Sequence, residues 1–283
     1  MRWLQALLGR ALKTRGAGFG LVVVALVLCV ALGADLIAPY HPNQPQQAGV
    51  LVAPSLVHWL GTDQLGRDVL SRIIHGTRTS VQAGVVSVGF ALIAGVFMGL
   101  LAGYYGSWMD DALMLLVDAL WSFPTLVLAL AIAAALGPGL TNAMLAIGIV
   151  FTPIFARLVR GQTLSVRERD FVTAARATGA GPGRIMFLHI WPNVTAAIIV
   201  QTSLLVASAI VVEAALSFLG LGTEPPTASW GSMLKVGYQY MQQAPWLSFV
   251  PGAAIFITVL AFNLLGDGLR RALDPRLWLE GRS

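Results

Sequence analysis

Residues 79–109 read TSVQAGVVSVGFALIAGVFMGLLAGYYGSWM, 31 positions without a charge. A bilayer core of about 30 Å needs roughly 20 mostly apolar residues in a helix, because every backbone polar group must find its partner inside the segment. This run is long enough to cross. Gly95, Gly99 and Gly103 recur in it at every fourth position, with Ala91 one step earlier. One face of the helix is therefore smooth, and a second backbone can approach it closely; the stripe is expected to be a helix-packing face.

Working outward, Ala17 to Ala34 is free of charge and forms a first span, with Thr79 to Met109 the second. Ala119 to Ala156 is too long for one helix and is interrupted by Gly137-Pro138-Gly139, a strong turn signal, so it divides into spans three and four. Asn193 to Ser217 supplies span five. Gln242, Gln243 and Pro245 make a poor membrane segment, so span six starts near Trp246 or Leu247. The expected fold is all-α, a polytopic membrane protein with six transmembrane helices. Composition agrees: of 283 residues 57% are hydrophobic and 11% charged, with a mean hydropathy of +0.75, which excludes a water-soluble globule. Cys29 is the one cysteine, so no intramolecular disulfide forms and the thiol reads as a small packing residue.

Orientation follows from the cations. Arg2, Arg10, Lys13 and Arg15 precede span one; Arg157, Arg160, Arg167, Arg169, Arg176 and Arg184 lie between spans four and five; Arg270, Arg271, Arg276 and Arg282 follow span six. These 14 of the 18 Lys and Arg residues fall on one side, which is therefore expected to be cytoplasmic, with both termini there. Only Arg67, Arg72, Arg78 and Lys235 fall opposite. The net charge of +5 thus reports topology rather than nucleic-acid binding. A cleaved signal peptide is the rival reading of span one, but the run reaches spanning length and Ala34-Asp35-Leu36 is an unconvincing cleavage site. The expected organisation is a cytoplasmic start (1–16), a first helix (17–38), an external loop (39–78), a five-helix core (79–272) and a cytoplasmic tail (273–283). The core includes a cytoplasmic loop (157–188) and a second external loop (220–245).

In the first external loop, Leu65, Val69 and Ile73 recur every four residues, which predicts an amphipathic helix from Asp63 to Ser80 leading into span two. In the second, Trp230, Tyr238 and Tyr240 suit the headgroup layer. Asp118 and Glu213 are acids placed inside apolar runs, which makes them candidate pore-lining or structural polar residues. Two acids without an intramembrane cation do not form a proton relay. His41, His58 and His75 match no metal-ligand spacing, so no metal site is expected.

The loop after span four is the informative one. Asp170 or Ser165 can cap a short helix running through Ala177, and Gly179, Gly181 and Gly183 end it with a turn. Phe171, Ala174, Ala175 and Thr178 then share a small, partly apolar face, suited to docking in a groove on a soluble partner. The segment DFVTAARATG (170–179), followed by HIWPN (189–193), resembles the Glu-Ala-Ala loop of ABC importer permeases. Three further stretches resemble the dipeptide, oligopeptide and nickel branch of that family: GTDQLGRDVLSR (61–72), EAALSFLGLG (213–222) and NLLGDGLRRALDPR (263–276). The likeness covers nearly the whole chain and is closest to the second of the two permease subunits. Two positions depart from the pattern: Thr173 replaces the naming acid of the loop, and Trp191 the apolar residue usual before its proline.

The resemblance implies the ABC importer type I permease fold and a place in the bacterial inner membrane. It also implies a second permease subunit, two ATP-binding subunits, and a periplasmic or extracellular solute-binding protein that delivers a peptide. Its coupling helix would seat on an ATPase through Phe171, Ala174, Ala175 and the Gly179 turn, with Arg169 and Asp170 as a polar rim. ATP and Mg would bind the partner subunits only; no cofactor is expected on this chain. That division agrees with the residues, since Lys13 precedes Thr14 but no glycine-rich phosphate loop leads into it. No nucleophile, base and orienter cluster is recognisable, which leaves a membrane enzyme unsupported. An ion-coupled secondary transporter would need coupled intramembrane charges or an inverted repeat, and neither is visible. A glutathione or nickel-chelate importer of the same family remains the alternative to a peptide importer.

Overall fold

A computed structural model describes residues 15–47 and 49–273, and among them every regular element is helical. In chain order these are α1 (Arg15–Leu32), the short α2 (Ala34–Ile37), α3 (Val69–Tyr105), α4 (Ser107–Trp121), α5 (Thr125–Leu136), α6 (Leu140–Arg167), α7 (Asp170–Ala177), α8 (Pro182–Leu219), α9 (Trp230–Gln239) and α10 (Trp246–Leu273). Four of them, α3, α6, α8 and α10, are long and apolar enough to cross a membrane; α4 with α5 adds a fifth such segment, bent, and Gly16–Leu32 is a shorter apolar helix. Arg2, Arg10, Lys13, Arg276 and Arg282 lie outside the described residues.

Successive spanning segments, with bent α4–α5 counted as one, run in opposite directions, which leaves α3 and α6 parallel and gives the bundle two distinct ends. A loop-rich end gathers residues 33–68, 137–139 and 220–245; an arginine-rich end gathers residues 105–107 and 168–181. At its centre α3 packs along α6, and α8 lies across both. The contact is close because the stripe admits backbone. A Cβ placed on Gly95 would lie 2.6 Å from the Thr152 carbonyl oxygen, one on Gly99 2.6 Å from that of Ala156, and one on Gly103 2.6 Å from the Thr163 Cβ. Val88, Leu100, Ile147, Phe151, Phe155, Val159, Leu205 and Ile210 fill the remaining space. Outside this core α1 runs along α10, where a Cβ on Gly20 would stand 2.7 Å from the Ala261 carbonyl oxygen. Phe19, Leu26, Phe97, Leu115, Phe249 and Phe256 face outward, as apolar side chains do when lipid or another spanning subunit is their surroundings.

Several expected boundaries shift, each for a local reason. The third span is not one straight helix: α4 and α5 meet at 93° across Ser122–Pro124, because proline has no N–H to continue the ladder and disfavours a helical residue before it. The 12 residues of α5 reach about 18 Å. Span one closes at Leu32, where Gly33 turns the chain into α2. Span five begins earlier than Asn193. α8 starts at Pro182, and its Ile185–Ile190 stretch is π-helical just before Pro192, whose ring would crowd the Leu188 carbonyl in a regular α-turn. The break at Gly137–Gly139 and the start of the last helix at Trp246 lie where the sequence puts them.

The amphipathic helix expected over Asp63–Ser80 is helical only from Val69, where it is the first part of α3 itself. The chain from Gly61 to Asp68 is a knot of turns, with Gly61 and Gly66 at φ +75° and +72°, and α3 starts only at Val69. Asp68 caps that helix, accepting from the Ser71 N–H and hydroxyl at 2.8 Å each, while its other oxygen meets His58 Nδ1 at 2.9 Å. Asp63 accepts from the Leu65 and Arg67 N–H groups and from Arg67 Nε at 2.7 Å. Arg72 donates to the carbonyls of Pro42 and Pro226 and to Asn43 Oδ1. These charges are buried because each has a partner. Arg78 reaches back to the end of α1, bonding the Ala31 carbonyl and Asp35, and its guanidinium holds the Asp35 carboxyl below its ordinary pKa.

The second loop contains a helix that was not expected, α9, opened by a reciprocal cap between Ser229 and Ser232. Trp230 is not an interfacial anchor. It is buried, its backbone N–H donating to Ser80 Oγ and its ring N–H to the Ile73 carbonyl, whereas Tyr238 is exposed.

Candidate functional site

α6 ends at Arg167, and Glu168 and Arg169 turn the chain into α7. Neither expected cap is used: Ser165 lies within α6, and Asp170 is the first helical residue, after an Arg169 that makes no side-chain cap. Asp170 in the first turn and Arg176 in the last still complement the helix dipole. Val172 is the buried residue of α7 and joins Val166 and Ile185 in the core, which fixes the helix by one side. The other side is open. Phe171 is 41% exposed, Ala174 and Thr178 are exposed, Ala175 is half-buried, and Arg169 and Asp170 are exposed beside them.

The turn after α7 is a Schellman motif. Gly179 N–H donates to the Arg176 carbonyl at 2.9 Å and Ala180 N–H to that of Ala175 at 3.0 Å, with Gly179 at φ +85°. Phe171, Ala174, Ala175, Gly179, Arg184 and His189 line a shallow groove of about 580 Å³ between α7 and the start of α8.

The arginines that sequence reasoning took only as topology markers anchor this end. Arg160 makes a two-pronged pair with Asp110 of α4, Nη2 to Oδ2 at 2.6 Å. Arg157 pairs with Asp118 and lies 4.5 Å from the Trp121 ring centre. Arg167 donates to the Gly103 and Tyr104 carbonyls, occupying the exposed C-terminal end of α3, and Arg176 of α7 lies 5.6 Å from the Tyr104 ring centre. The signal was present: Arg157 and Arg160 stand one turn apart, and Asp110 and Asp118 two turns apart. Exchanging the charges of one pair tests it. Asp110→Arg alone is expected to lower thermal stability in detergent by several degrees, and Asp110→Arg with Arg160→Asp to recover most of that loss; additive losses would show that the pair is not coupled.

The structure does not bring Asp118 and Glu213 together. Asp118, its side chain 59% exposed, belongs to the arginine-rich end. Glu213 lies near the opposite end of α8, 0% exposed, accepting from Ser217 Oγ at 2.7 Å, and Ser217 Oγ accepts in turn from the Thr223 N–H. Among the described residues no group of three metal-ligating side chains is present.

With this geometry, a helix held on one side between two spanning helices, residues 95–279 match the family described as binding-protein-dependent transport system inner membrane component. The chain belongs to that family. Curated relatives align over nearly their full length. The dipeptide transport system permease protein of Alkalihalophilus pseudofirmus is 46% identical over 94% of this chain and 87% of its own. The di/tripeptide permease of Pseudomonas aeruginosa is also 46% identical, over 93% of this chain and 89% of its own. The glutathione permease of Pectobacterium atrosepticum is 45% identical, over 90% and 85%. Among solved structures, the inward-facing MetNI methionine ABC transporter superposes with a TM-score of 0.59, covering 72% of this permease and 97% of that chain at 20% identity. The chain is therefore a multi-pass inner-membrane permease with the ABC importer permease fold.

Proposed function

We propose that this permease is a transmembrane subunit of an ATP-driven importer of dipeptides or short oligopeptides, coupled to its motor through α7. It pairs with a second permease, and the outward apolar residues of α4 and α5 supply surface for that contact. Two ATP-binding subunits carry ATP and Mg; a solute-binding protein delivers the peptide to the loop-rich end. The arginine-rich end is cytoplasmic, and six segments cross the bilayer. Closure of the ATPase pair moves α7, and because Arg157, Arg160 and Arg167 fasten α6 to α4 and to the end of α3, the movement tips α6 and its partners as one body. That is rigid-body switching between two packings, biased by nucleotide. Asp118 and Glu213 act as structural polar residues rather than as a relay.

The observation that carries the reading is the near full-length match to dipeptide and di/tripeptide permeases in a chain whose α7 presents Phe171, Ala174 and Thr178 outward. Uptake of radiolabelled dialanine by cells expressing the complete transporter tests it. Saturable accumulation is expected, abolished when the phosphate-loop lysines of the ATPase subunits are replaced, while the purified permease alone hydrolyses no ATP. The glutathione relative favours a second reading, import of that tripeptide; glutathione uptake without dialanine uptake would select it.

A further inference from the structure

At the loop-rich end, away from α7, a cavity of about 430 Å³ opens between the Asp63–Arg72 knot, the turn after α8 and one face of α9. That size lies within the roughly 300–1,000 Å³ of small-ligand clefts, and Met233, Val236 and Leu247 give it an apolar floor. Its charged residues fall into two sets. Asp63, Arg67 and Arg72 are spent on one another and on backbone carbonyls. Lys235 and Glu224 make no ion pair among the described residues. Lys235 is half-buried and leans over the turn at Gly220, where an added Cβ would stand 2.7 Å from Nζ; Glu224 is exposed at the rim. One polar atom of the wall is also without a partner. Gln64 Oε1 is buried with no hydrogen bond, whereas the Thr223 hydroxyl is taken up by the buried Glu213 carboxyl.

Buried polar atoms are paired in nearly all folded proteins, so an orphan in a cleft whose lysine and glutamate are also unpaired points to an occupant that satisfies all three. Here the occupant must bring a negative group for Lys235, a positive group for Glu224 and a donor for the Gln64 oxygen. A zwitterionic dipeptide carries these three groups: a carboxylate, an ammonium and a peptide N–H. We infer that this cleft is a receiving site for di- or tripeptides on the outer face of the permease, distinct from the solute-binding protein's own site. In it Lys235 takes the α-carboxylate, Glu224 the α-ammonium, and Gln64 the peptide N–H. The inference rests on the peptide-import reading and adds to it that this chain itself recognises both ends of the cargo. It makes the permease selective for unblocked peptides after release from the binding protein.

The test is equilibrium binding of radiolabelled dialanine to the assembled transporter in lipid nanodiscs, without the solute-binding protein. Saturable binding is expected, weakened about tenfold by Lys235→Gln and by Glu224→Gln. Both substitutions lie at polar positions that no ion pair in the fold requires. Blocked ligands assign the ends. Dialaninamide should compete poorly on the unmodified complex but lose no further affinity on Lys235→Gln, and N-acetyl-dialanine should behave the same way with Glu224→Gln. Absence of saturable binding, or binding by both variants as tight as by the unmodified transporter, overturns the site. So does a pattern in which the variants weaken docking of the solute-binding protein but leave dialanine binding unchanged, which would make the cleft a docking surface. Dialanine uptake by the unmodified transporter with its binding protein, measured in parallel, reports the import reading separately.

Discussion

Leucine in place of Gly99 is expected to prevent the permease from accumulating in the membrane. A Cβ at this position would lie 2.6 Å from the Ala156 carbonyl oxygen, 2.8 Å from the Val159 Cβ and 2.9 Å from the Arg160 backbone nitrogen. Two of these three neighbours are helix backbone, which cannot rotate away as a side-chain tip can. α3 and α6 must therefore separate, and the whole contact between them loosens. Overpacking of a close-packed interior costs about 1–3 kcal/mol even where side chains can yield, so Gly99→Ala is expected in that range and Gly99→Leu beyond it. At roughly 2–4 °C per kcal/mol for a chain of this size, the leucine variant should melt about 10 °C lower in detergent, if it can be purified. Gly161 is the control: it lies in α6 itself with no atom within 4 Å of an added Cβ. Gly161→Ala should be neutral or slightly stabilising, because alanine is the better helix former by about 1 kcal/mol. Equal stability of Gly99→Leu and Gly161→Ala in a fluorescence melting assay would refute the packing role of the stripe.

The same comparison shows what could be read from the residues alone. Long apolar runs identify membrane helices because the bilayer imposes length and composition together, and Gly137-Pro138-Gly139 divides two of them by its backbone preferences alone. The Gly95–Gly103 spacing likewise specifies a face without naming the helix that covers it; that α6 does so is a matter of tertiary packing. Where the pattern misled, two local rules competed. Leu65, Val69 and Ile73 have helical period, but Gly66 at φ +72° and the carboxylates of Asp63 and Asp68 hold the preceding residues in turns, and side-chain bonds to backbone outweigh periodicity over so short a stretch. Pro124 sits in an apolar run that satisfies a hydropathy window, which cannot register a 93° bend. For the candidate site, the extent of α7 and its Gly179 turn are local features and were legible. The partners of Arg157, Arg160 and Arg167 were not, because they lie 39 to 64 residues away in sequence and depend on how α3, α4 and α6 come together.

Valine in place of Gly179 is expected to separate transport from folding. The residue sits at φ +85°, in the left-handed region, where an L side chain costs roughly 1–2 kcal/mol and a β-branched one more. No atom lies within 4 Å of an added Cβ, so the penalty is conformational rather than steric. The chain relieves it by giving up the Gly179 to Arg176 and Ala180 to Ala175 hydrogen bonds, which frays the last turn of α7 and changes its direction relative to α8. Val172 still anchors the helix from beneath, so the permease should reach the membrane in normal amount and melt within a few degrees of the unmodified protein. Uptake of dialanine should nevertheless fall about tenfold or more, since about 1.4 kcal/mol of lost preorganisation is a factor of ten in the docked population. Asparagine tolerates the left-handed region better than valine does, so Gly179→Asn should recover much of the uptake, whereas a role as a contact surface would leave both variants equally poor. Disulfide trapping between Ala174→Cys and a cysteine placed on the ATPase subunit, in a Cys29→Ser background, supplies a second readout: trapping should drop with valine and return with asparagine. Undiminished uptake and trapping in Gly179→Val would mean that α7 does not carry the motor's work into the membrane helices.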